Sequence, residues 1–138
     1  MKIDLHIHSK DCSDGKMSLS RIFVEADKRD IGLISITDHD NIQCQESARA
    51  LAREHGIDYL PGVELNISFS HPDYRKGKAA SLDVLGYGYD IYNKEINDKL
   101  KTLQEYRRSR AEEILEKINQ AFAGNGLKTF TNRDMEAI

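Results

Sequence analysis

The sequence has few of the residues that mark secreted, membrane-spanning and low-complexity chains. Its 138 residues include two cysteines, two prolines and no tryptophan. No apolar run approaches the roughly 18 residues that cross a membrane, and the first residues begin a strand pattern instead of a signal peptide. These absences exclude a collagen-like chain, a disulfide scaffold and a membrane span, and they predict a cytoplasmic protein.

Positive charge is also in short supply. Lysine and arginine number 20 against 23 acidic residues, so the formal net charge is −3 at pH 7. This balance predicts no overall attraction to nucleic acid or anionic lipid, and we expect no membrane partner. Because Cys12 and Cys44 form no Cys-x-x-Cys pair, we expect two reduced thiols that pack against apolar side chains, with a metal-ligand role for Cys12 as the weaker alternative.

The remaining composition suits one folded domain. Hydrophobic residues make up 39% of the chain and charged residues 31%. A domain of this length buries roughly two-thirds of its unfolded surface, so it needs no disulfide or metal merely to fold. A closed eight-fold β/α barrel takes about 250 residues, and this chain has only about half of that length. We therefore expect one domain over residues 1–138 that belongs to a longer protein.

Hydrophobic periodicity predicts an α/β fold. Alternating patterns predict strands at residues 2–8, 32–37, 59–69 and 82–89. Helical spacing follows an N-cap at Ser18, and further helices are predicted at residues 43–55, with Gly56 as the C-cap, and at 93–123. The order β-α-β-α-β-β-α favours a mainly parallel sheet. After residue 126 a capping pattern at Thr131 is followed by too few residues to complete a helix.

All four predicted strands are expected to end in side chains suited to metal binding. They are, in chain order, His6 and His8, Asp38 and His39, Glu64, and Asp83. Alternate side chains share one face of a strand, so His6 and His8 can grip one ion or two adjacent ions. In parallel α/β folds the functional crevice lies beyond the carboxyl ends of the strands. Imidazole combined with carboxylate suits Zn, Mn or Fe, so the pattern predicts a catalytic metal centre.

Four motifs, taken together, resemble a known family. They are Asp4-Leu5-His6-Ile7-His8-Ser9, Ser13-Asp14-Gly15, Ile36-Thr37-Asp38-His39-Asp40 and Pro61-Gly62-Val63-Glu64. In this order they resemble the PHP (polymerase and histidinol phosphatase) family, and the likeness extends through Val84-Leu85-Gly86-Tyr87 to the helix with Arg107-Arg108-Ser109-Arg110. The resemblance implies that the chain is the N-terminal part of a distorted (β/α)7 barrel. It also implies two or three divalent metal ions that hydrolyse phosphoesters.

The resemblance also implies roles for individual residues. His6 and His8 would bind one ion, while Asp14 and His39 would complete other positions. Glu64 would bridge two ions.

Three further features of the resemblance concern carboxylates and the chain end. Asp38, and in the same way Asp4, would orient a ligand histidine through its other ring nitrogen. Asp83 stands where the family usually has a histidine; an aspartate can still coordinate, with a different charge and reach. The family's last histidines and its Asp-x-His motif lie farther along than residue 138.

The expected function is hydrolysis of a phosphoester by a metal-bound hydroxide. The resemblance is closest to small phosphoesterases, so the expected substrate is a phosphorylated small molecule, a nucleotide or a short oligonucleotide. Arg107 and Arg110 are the candidate contacts to a substrate phosphate, and a solvated helix face is the favoured interpretation of the pair. Two other functions stay open: a non-catalytic metal-binding module of a larger polymerase-like protein, and a histidinol phosphate phosphatase.

Overall fold

The computed structural model describes residues 1–135. The chain divides into two compact units, Met1–Lys101 and Thr102–Ile138. Its elements are β1 (Lys2–Ile7), α1 (Leu19–Lys28), β2 (Ile31–Ile36), α2 (Gln45–His55), β3 (Asp58–Tyr59), β4 (Gly62–Phe69), β5 (Ala80–Tyr87), α3 (Lys94–Gly124) and α4 (Asn132–Met135). None of the described helices is both long and apolar enough to cross a membrane.

A parallel sheet forms the centre of the first unit. Strands β1, β2 and β3 lie side by side in that order, and both pairings are parallel. Beyond the end of β2, His39 forms a parallel bridge with Glu64 at the start of β4. The Asp40 N–H donates to the Glu64 carbonyl at 2.8 Å. The predicted α/β class with a parallel sheet is therefore confirmed.

One apolar layer holds the two short helices on this sheet. Ile34 and Ile36 of β2 are fully buried, and they pack against side chains of both helices: Leu19, Ile22, Phe23 and Ala26 of α1, and Ala48 and Ala52 of α2. Because alternate residues of a strand share a face, these two isoleucines define the helix-covered side of the sheet. Both predicted caps are present, since the Ser18 hydroxyl accepts from the Arg21 N–H and Gly56 adopts a φ of 66°.

The predicted strand at residues 59–69 is divided in two. Leu60 and Pro61 separate β3 from β4, because proline has no N–H to donate to a sheet. β4 then pairs antiparallel with β5, which begins and ends two residues earlier than predicted. The expectation that the ligand residues occupy carboxyl ends of consecutive strands is thus wrong for two positions. Glu64 is the third residue of β4, and Asp83 lies in the middle of β5.

The two cysteines do not remain free thiols. Cys12, in the loop after β1, and Cys44, just before α2, form a disulfide whose Cα atoms are 6.1 Å apart. This corrects the prediction of two reduced thiols. The 32-residue separation gives no pairing signal in the sequence, but the fold brings the two Cα atoms within the range that a disulfide spans.

The second unit contains the C-terminal part of α3 and a short tail that folds against it. The Phe130 N–H donates to Asn119 Oδ1, and Asn119 Nδ2 donates to the Phe130 carbonyl, each at 2.7 Å. The Asp134 carboxylate accepts from the Thr131 N–H and hydroxyl, so α4 begins at the predicted cap. The prediction that no helix would form here is wrong for the four residues of α4, and residues 136–138 lie outside the described residues.

Candidate metal centre

One carboxylate oxygen lies at the centre of a group of histidines. Oε2 of Glu64 is 2.7 Å from Nε2 of His8 and 2.9 Å from Nε2 of His6. The two ring nitrogens are themselves 3.2 Å apart. His6 and His8 come from the end of β1, where alternation turns both rings to one face, and Glu64 comes from β4. Elements far apart in the chain therefore present three donor atoms to one point.

The spacing of these three atoms suits a divalent ion. A tetrahedral ion with bonds of about 2.0–2.1 Å keeps its ligand atoms about 3.3 Å apart. The distances of 2.7, 2.9 and 3.2 Å are slightly shorter, as expected for donors that hydrogen-bond to one another. A site with three protein ligands leaves coordination positions for water and substrate, which distinguishes catalytic from structural metal sites. The donor set of imidazole and carboxylate fits Zn, Mn or Fe.

A second group of donors adjoins the first. His8 Nδ1 lies 2.8 Å from Asp14 Oδ1, and His39 Nε2 lies 3.9 Å from Asp14 Oδ2. His39 Nδ1 also lies 3.8 Å from Oε2 of Glu64. His39 and Glu64 therefore face the same side of the sheet, and Glu64 is positioned between the two groups. The five side chains form one continuous set of donors, which we call the histidine–carboxylate cluster: His6, His8, Asp14, His39 and Glu64.

The contacts inside the cluster shift its protonation equilibria. Burial alone would raise the pKa of Glu64, but hydrogen bonds from His6 and His8 outweigh it and lower the pKa. The hydrogen bond with His8 lowers the pKa of Asp14. Burial opposes protonation of His8, yet its hydrogen bonds to Asp14 and Glu64 give it a raised pKa. The cluster thus keeps its carboxylates ionised, as metal ligands must be.

Asp38 holds the loop that carries Asp14. Its carboxylate is fully buried and accepts two hydrogen bonds from Ser9, from the N–H at 2.6 Å and from the hydroxyl at 2.8 Å. The Ser9 carbonyl in turn accepts from the N–H groups of Ser13 and Gly15. The hydrogen bonds of Asp38 therefore go to Ser9 and not, as expected, to a histidine ring. Burial raises the pKa of Asp38, and the bonds from Ser9 partly offset that rise.

A glycine is required in the same loop by close backbone approach. A Cβ atom at Gly15 would lie 2.0 Å from the carbonyl oxygen of His8 and 2.7 Å from the carbonyl carbon of Ser9. These neighbours are backbone atoms, so they cannot rotate away. The loop can therefore fold back over the end of β1, and bring Asp14 to His8, only with glycine at this position.

A buried glutamine ties the two strand segments of the site together. Gln45 Nε2 donates to the carbonyls of Ile36 and Gly62, at 2.9 and 2.8 Å, and its Oε1 accepts from the Tyr59 hydroxyl at 2.6 Å. Ile36 ends β2 shortly before His39, and Gly62 begins β4 two residues before Glu64. Sequence analysis missed Gln45 and Ser9, because a single glutamine or serine carries no spacing signal before its partners are known.

Within the first unit, Asp83 and Asp4 lie outside the cluster's close contacts. Asp83 is on the same face of the hairpin as Glu64, since it pairs with Asn66, and it accepts a 2.7 Å hydrogen bond from Asn66 Nδ2. Asp4 Oδ1 accepts from the His6 N–H at 3.4 Å and contacts no ring nitrogen among the described residues. Arg107 and Arg110 are exposed on α3 in the second unit.

Comparison with known proteins points to one family. A model described as PHP domain matches residues 4–127. The chain is 31% identical over 112 residues to a 3',5'-nucleoside bisphosphate phosphatase of Chromobacterium violaceum, covering 81% of this chain and 36% of that protein. It is 28% identical over 120 residues to a 5'-3' exoribonuclease of Haemophilus influenzae, covering 87% of this chain and 40% of that protein.

A solved structure is similar in fold as well. An amidohydrolase from Chromobacterium violaceum, with bound sulfate and no metal, superposes with a TM-score of 0.73 at 30% identity, covering 88% of this chain and 39% of the other. The chain thus spans about two-fifths of the length of each of these three proteins.

Proposed function

Because the chain belongs to the PHP domain family, we propose that it supplies the metal-binding part of an enzyme that hydrolyses phosphoesters with two or three divalent ions. One observation carries the proposal: His6, His8 and His39 gather within 3.8 Å of a single carboxylate oxygen, Oε2 of Glu64. When bound, divalent ions in such a site lower the pKa of a water and neutralise charge on the phosphoryl oxygens.

The residues of the chain divide the work of binding these ions. His6 and His8 would hold one ion through their Nε2 atoms, and His39 and Asp14 would hold its neighbour. Glu64 would bridge both, because its Oε2 lies between the two groups. Asp38 would not bind an ion itself; its hydrogen bonds fix Ser9 and thereby position the loop that bears Asp14.

The proposal includes three residues outside the histidine–carboxylate cluster, one as a further metal ligand and two as contacts to substrate. Asp83 lies on the Glu64 face of the hairpin, so we keep it as a ligand for an ion near that face. Arg107 and Arg110 are three residues apart on one helix, so their guanidinium groups lie on one side of it and could take a substrate phosphate. We propose Zn, Mn or Fe as the metal, because these ions suit a donor set of imidazole and carboxylate.

The proposed substrates are phosphorylated small molecules, nucleotides and short oligonucleotides. The two named relatives are a bisphosphate phosphatase and an exoribonuclease, and both names describe cleavage of a phosphoester near a nucleotide sugar. Among the described residues the cluster is open to solvent on the His6 side, where half of the His6 side chain is exposed, which suits a bulky substrate. We propose that the protein acts in the cytoplasm, where the Cys12–Cys44 bond would be exposed to the reducing thiols of that compartment.

The test uses the full-length protein and a small panel of substrates. A 3',5'-nucleoside bisphosphate, a 5'-phosphorylated RNA oligomer and histidinol phosphate are each offered with Mn, with Zn and after exhaustive chelation. We expect phosphate or nucleotide release that stops on chelation and returns when metal is restored. Turnover that survives complete removal of metal would overturn the proposal. Bound metal with no turnover on any substrate would favour the non-catalytic module instead.

A further inference from the structure

The loop that joins β4 to β5 carries an unusual concentration of rings and cations. We call it the hairpin tip and define it by six residues: Phe69, His71, Tyr74, Arg75, Lys76 and Lys78. All six are exposed. None of them belongs to the histidine–carboxylate cluster, and the tip contributes no side chain to the two buried apolar clusters of the first unit.

The rings of the tip form a small group at the surface. Phe69 and His71 lie parallel, with 6.5 Å between ring centroids and 5° between planes. Phe69 and Tyr74 lie 5.8 Å apart and are inclined by 60°. The Tyr74 N–H donates to the His71 carbonyl at 3.0 Å, which fixes the loop that presents them. Phe69 is 39% exposed and Tyr74 45% exposed, so apolar ring surface faces water.

The cations of the tip are free to meet a ligand. Arg75, Lys76 and Lys78 are exposed, and none of them makes a salt bridge within residues 1–135. Asp73 is the one carboxylate among residues 70–80, so this loop is positive although the whole chain carries −3. Arg75 and Lys76 both have left-handed backbone, with φ of 49° and 55°. Non-glycine residues in that conformation are uncommon and concentrate at ligand-binding sites.

The tip lies along the hairpin from the metal centre. Phe69 is five positions after Glu64 on β4, a distance of about 16 Å at the rise of an extended strand. Because alternate side chains of a strand point to opposite faces, the Phe69 ring lies on the face opposite Glu64. The Glu64 face is polar at Asn66, which donates to Ser81 at 2.9 Å and to Asp83 at 2.7 Å.

We propose that the hairpin tip binds single-stranded nucleic acid, with bases stacked on Tyr74 and Phe69 and phosphates at Arg75, Lys76 and Lys78. Rings that stack on bases combined with cations that contact the backbone are the two elements of single-strand binding. An anionic membrane is a poorer match, because lipid-binding segments use clusters of roughly four to eight cations. The tip is separate from the metal centre, so this inference goes beyond the proposed function and does not depend on it.

Binding is measured without hydrolysis. Fluorescence anisotropy follows a labelled 12-nucleotide RNA on the full-length protein in the presence of EDTA, with a 3-nucleotide RNA as the short comparison. We expect the 12-mer to bind at least tenfold more tightly than the 3-mer. The double variant Lys76→Ala/Lys78→Ala should weaken binding of the 12-mer about tenfold. It should also reduce the slope of log K against log salt concentration by about 0.7 for each cation removed.

Matched variants separate the tip from general charge and from misfolding. Arg53→Ala/Lys101→Ala removes the same charge from two exposed positions elsewhere and should change binding less than twofold. Tyr74→Ala should weaken binding, whereas Tyr74→Phe, which keeps the ring, should not. The tip proposal is overturned if the tip and control doubles behave alike, or if phosphatidylserine vesicles bind as tightly and depend on the same residues.

A second readout separates failure of this inference from failure of the proposed function. Turnover on a single nucleoside bisphosphate should be unchanged in the tip variants, because that substrate does not reach the tip. If the wild type hydrolyses nothing but still binds RNA through the tip, the phosphoesterase proposal fails and the binding site stands. If it hydrolyses the bisphosphate but the tip variants bind RNA normally, the binding site fails alone.

Discussion

Nε2 of His8 lies 2.7 Å from Oε2 of Glu64, although 56 positions separate the two residues in the chain. The contact exists because β4 begins beside the end of β2, which pairs with β1, so that both side chains reach the same edge of the sheet. The same carboxylate oxygen also lies 2.9 Å from His6. Most of the negative charge available to an ion at this point therefore comes from one residue.

Replacing that residue by its neutral isostere is the most direct test of the centre. We expect Glu64→Gln to keep the fold but to lower bound metal and to reduce turnover by several orders of magnitude, since an amide is a weaker ligand and carries no bridging charge. Metal per chain is measured by atomic emission, and turnover on a nucleoside bisphosphate. Glu54→Gln, at an exposed position on α2, is the matched control and should match wild type. Wild-type activity in Glu64→Gln would refute its bridging role.

The strand and helix pattern of the first unit could be predicted because alternation and caps are local properties. Ser18, Gly56 and the alternation of His6 and His8 need only their neighbours to be interpreted. The break before β4 depends on Pro61 and on pairing with β2, and the position of Asp83 depends on the antiparallel register of β5. Those features are set by partners distant in the chain, so the periodicity of one segment could not reveal them.

The ligands of the candidate site could be predicted from the sequence, whereas the contacts that support them could not. The types and order of the candidate ligands point to one centre, and the structure brings His6, His8, Asp14, His39 and Glu64 together. The supporting contacts could not be predicted, because Ser9 and Gln45 act through hydrogen bonds to backbone and to a buried carboxylate. The Cys12–Cys44 bond belongs to the same class, since only the folded chain brings the two residues together.

The cluster should make stability depend on pH when metal is removed. His8 has a raised pKa, so its stabilisation is full below its ordinary value of 6.5 and is lost as the pH rises through its folded value. Asp14 and Glu64 have lowered pKa values, so theirs is full above the ordinary values of 3.8 and 4.5 and is lost as the pH falls through the folded ones. The combined effect is therefore greatest between about pH 4.5 and 6.5.

Thermal melting in EDTA across pH 3–9 measures this effect as the difference in Tm between wild type and His8→Gln. We expect that difference to peak within the stated window and to shrink on both sides. A Tm difference between wild type and His8→Gln that keeps increasing above pH 7 would contradict the stabilising role of protonated His8.

The disulfide predicts a response to reductant. Oxidised protein should show no reactive thiols at Cys12 and Cys44, and a dithiol reductant should expose two and lower the Tm. Closing a loop of 32 residues is worth about 3–4 kcal/mol in the chain-entropy account. Thiol titration and melting with and without reductant measure both effects. The double variant Cys12→Ser/Cys44→Ser should have a Tm near that of the reduced wild type, and reductant should not change it. Two free thiols in wild type that was never reduced would show that the pair does not form.

The last prediction concerns the loop over the end of β1. A Cβ at Gly15 meets the carbonyl of His8 at 2.0 Å, and no side-chain rotation can relieve contact with backbone. We expect Gly15→Ala to push the loop outward, which separates Asp14 from His8 while the apolar layer around Ile34 and Ile36 stays intact. Metal affinity, measured by competition with a chromogenic chelator, should fall at least tenfold, and the far-UV circular dichroism should be unchanged.

Gly124→Ala provides the matched control, because a Cβ at that helical position meets no atom within 4 Å. It should leave metal affinity unchanged and keep or slightly raise the Tm, since alanine favours a helix over glycine. If Gly15→Ala binds metal as tightly as wild type, then metal affinity does not depend on the close approach of this loop or on the position that it gives Asp14. If both variants lose metal, the loss reflects general destabilisation and the specific role of Gly15 is wrong.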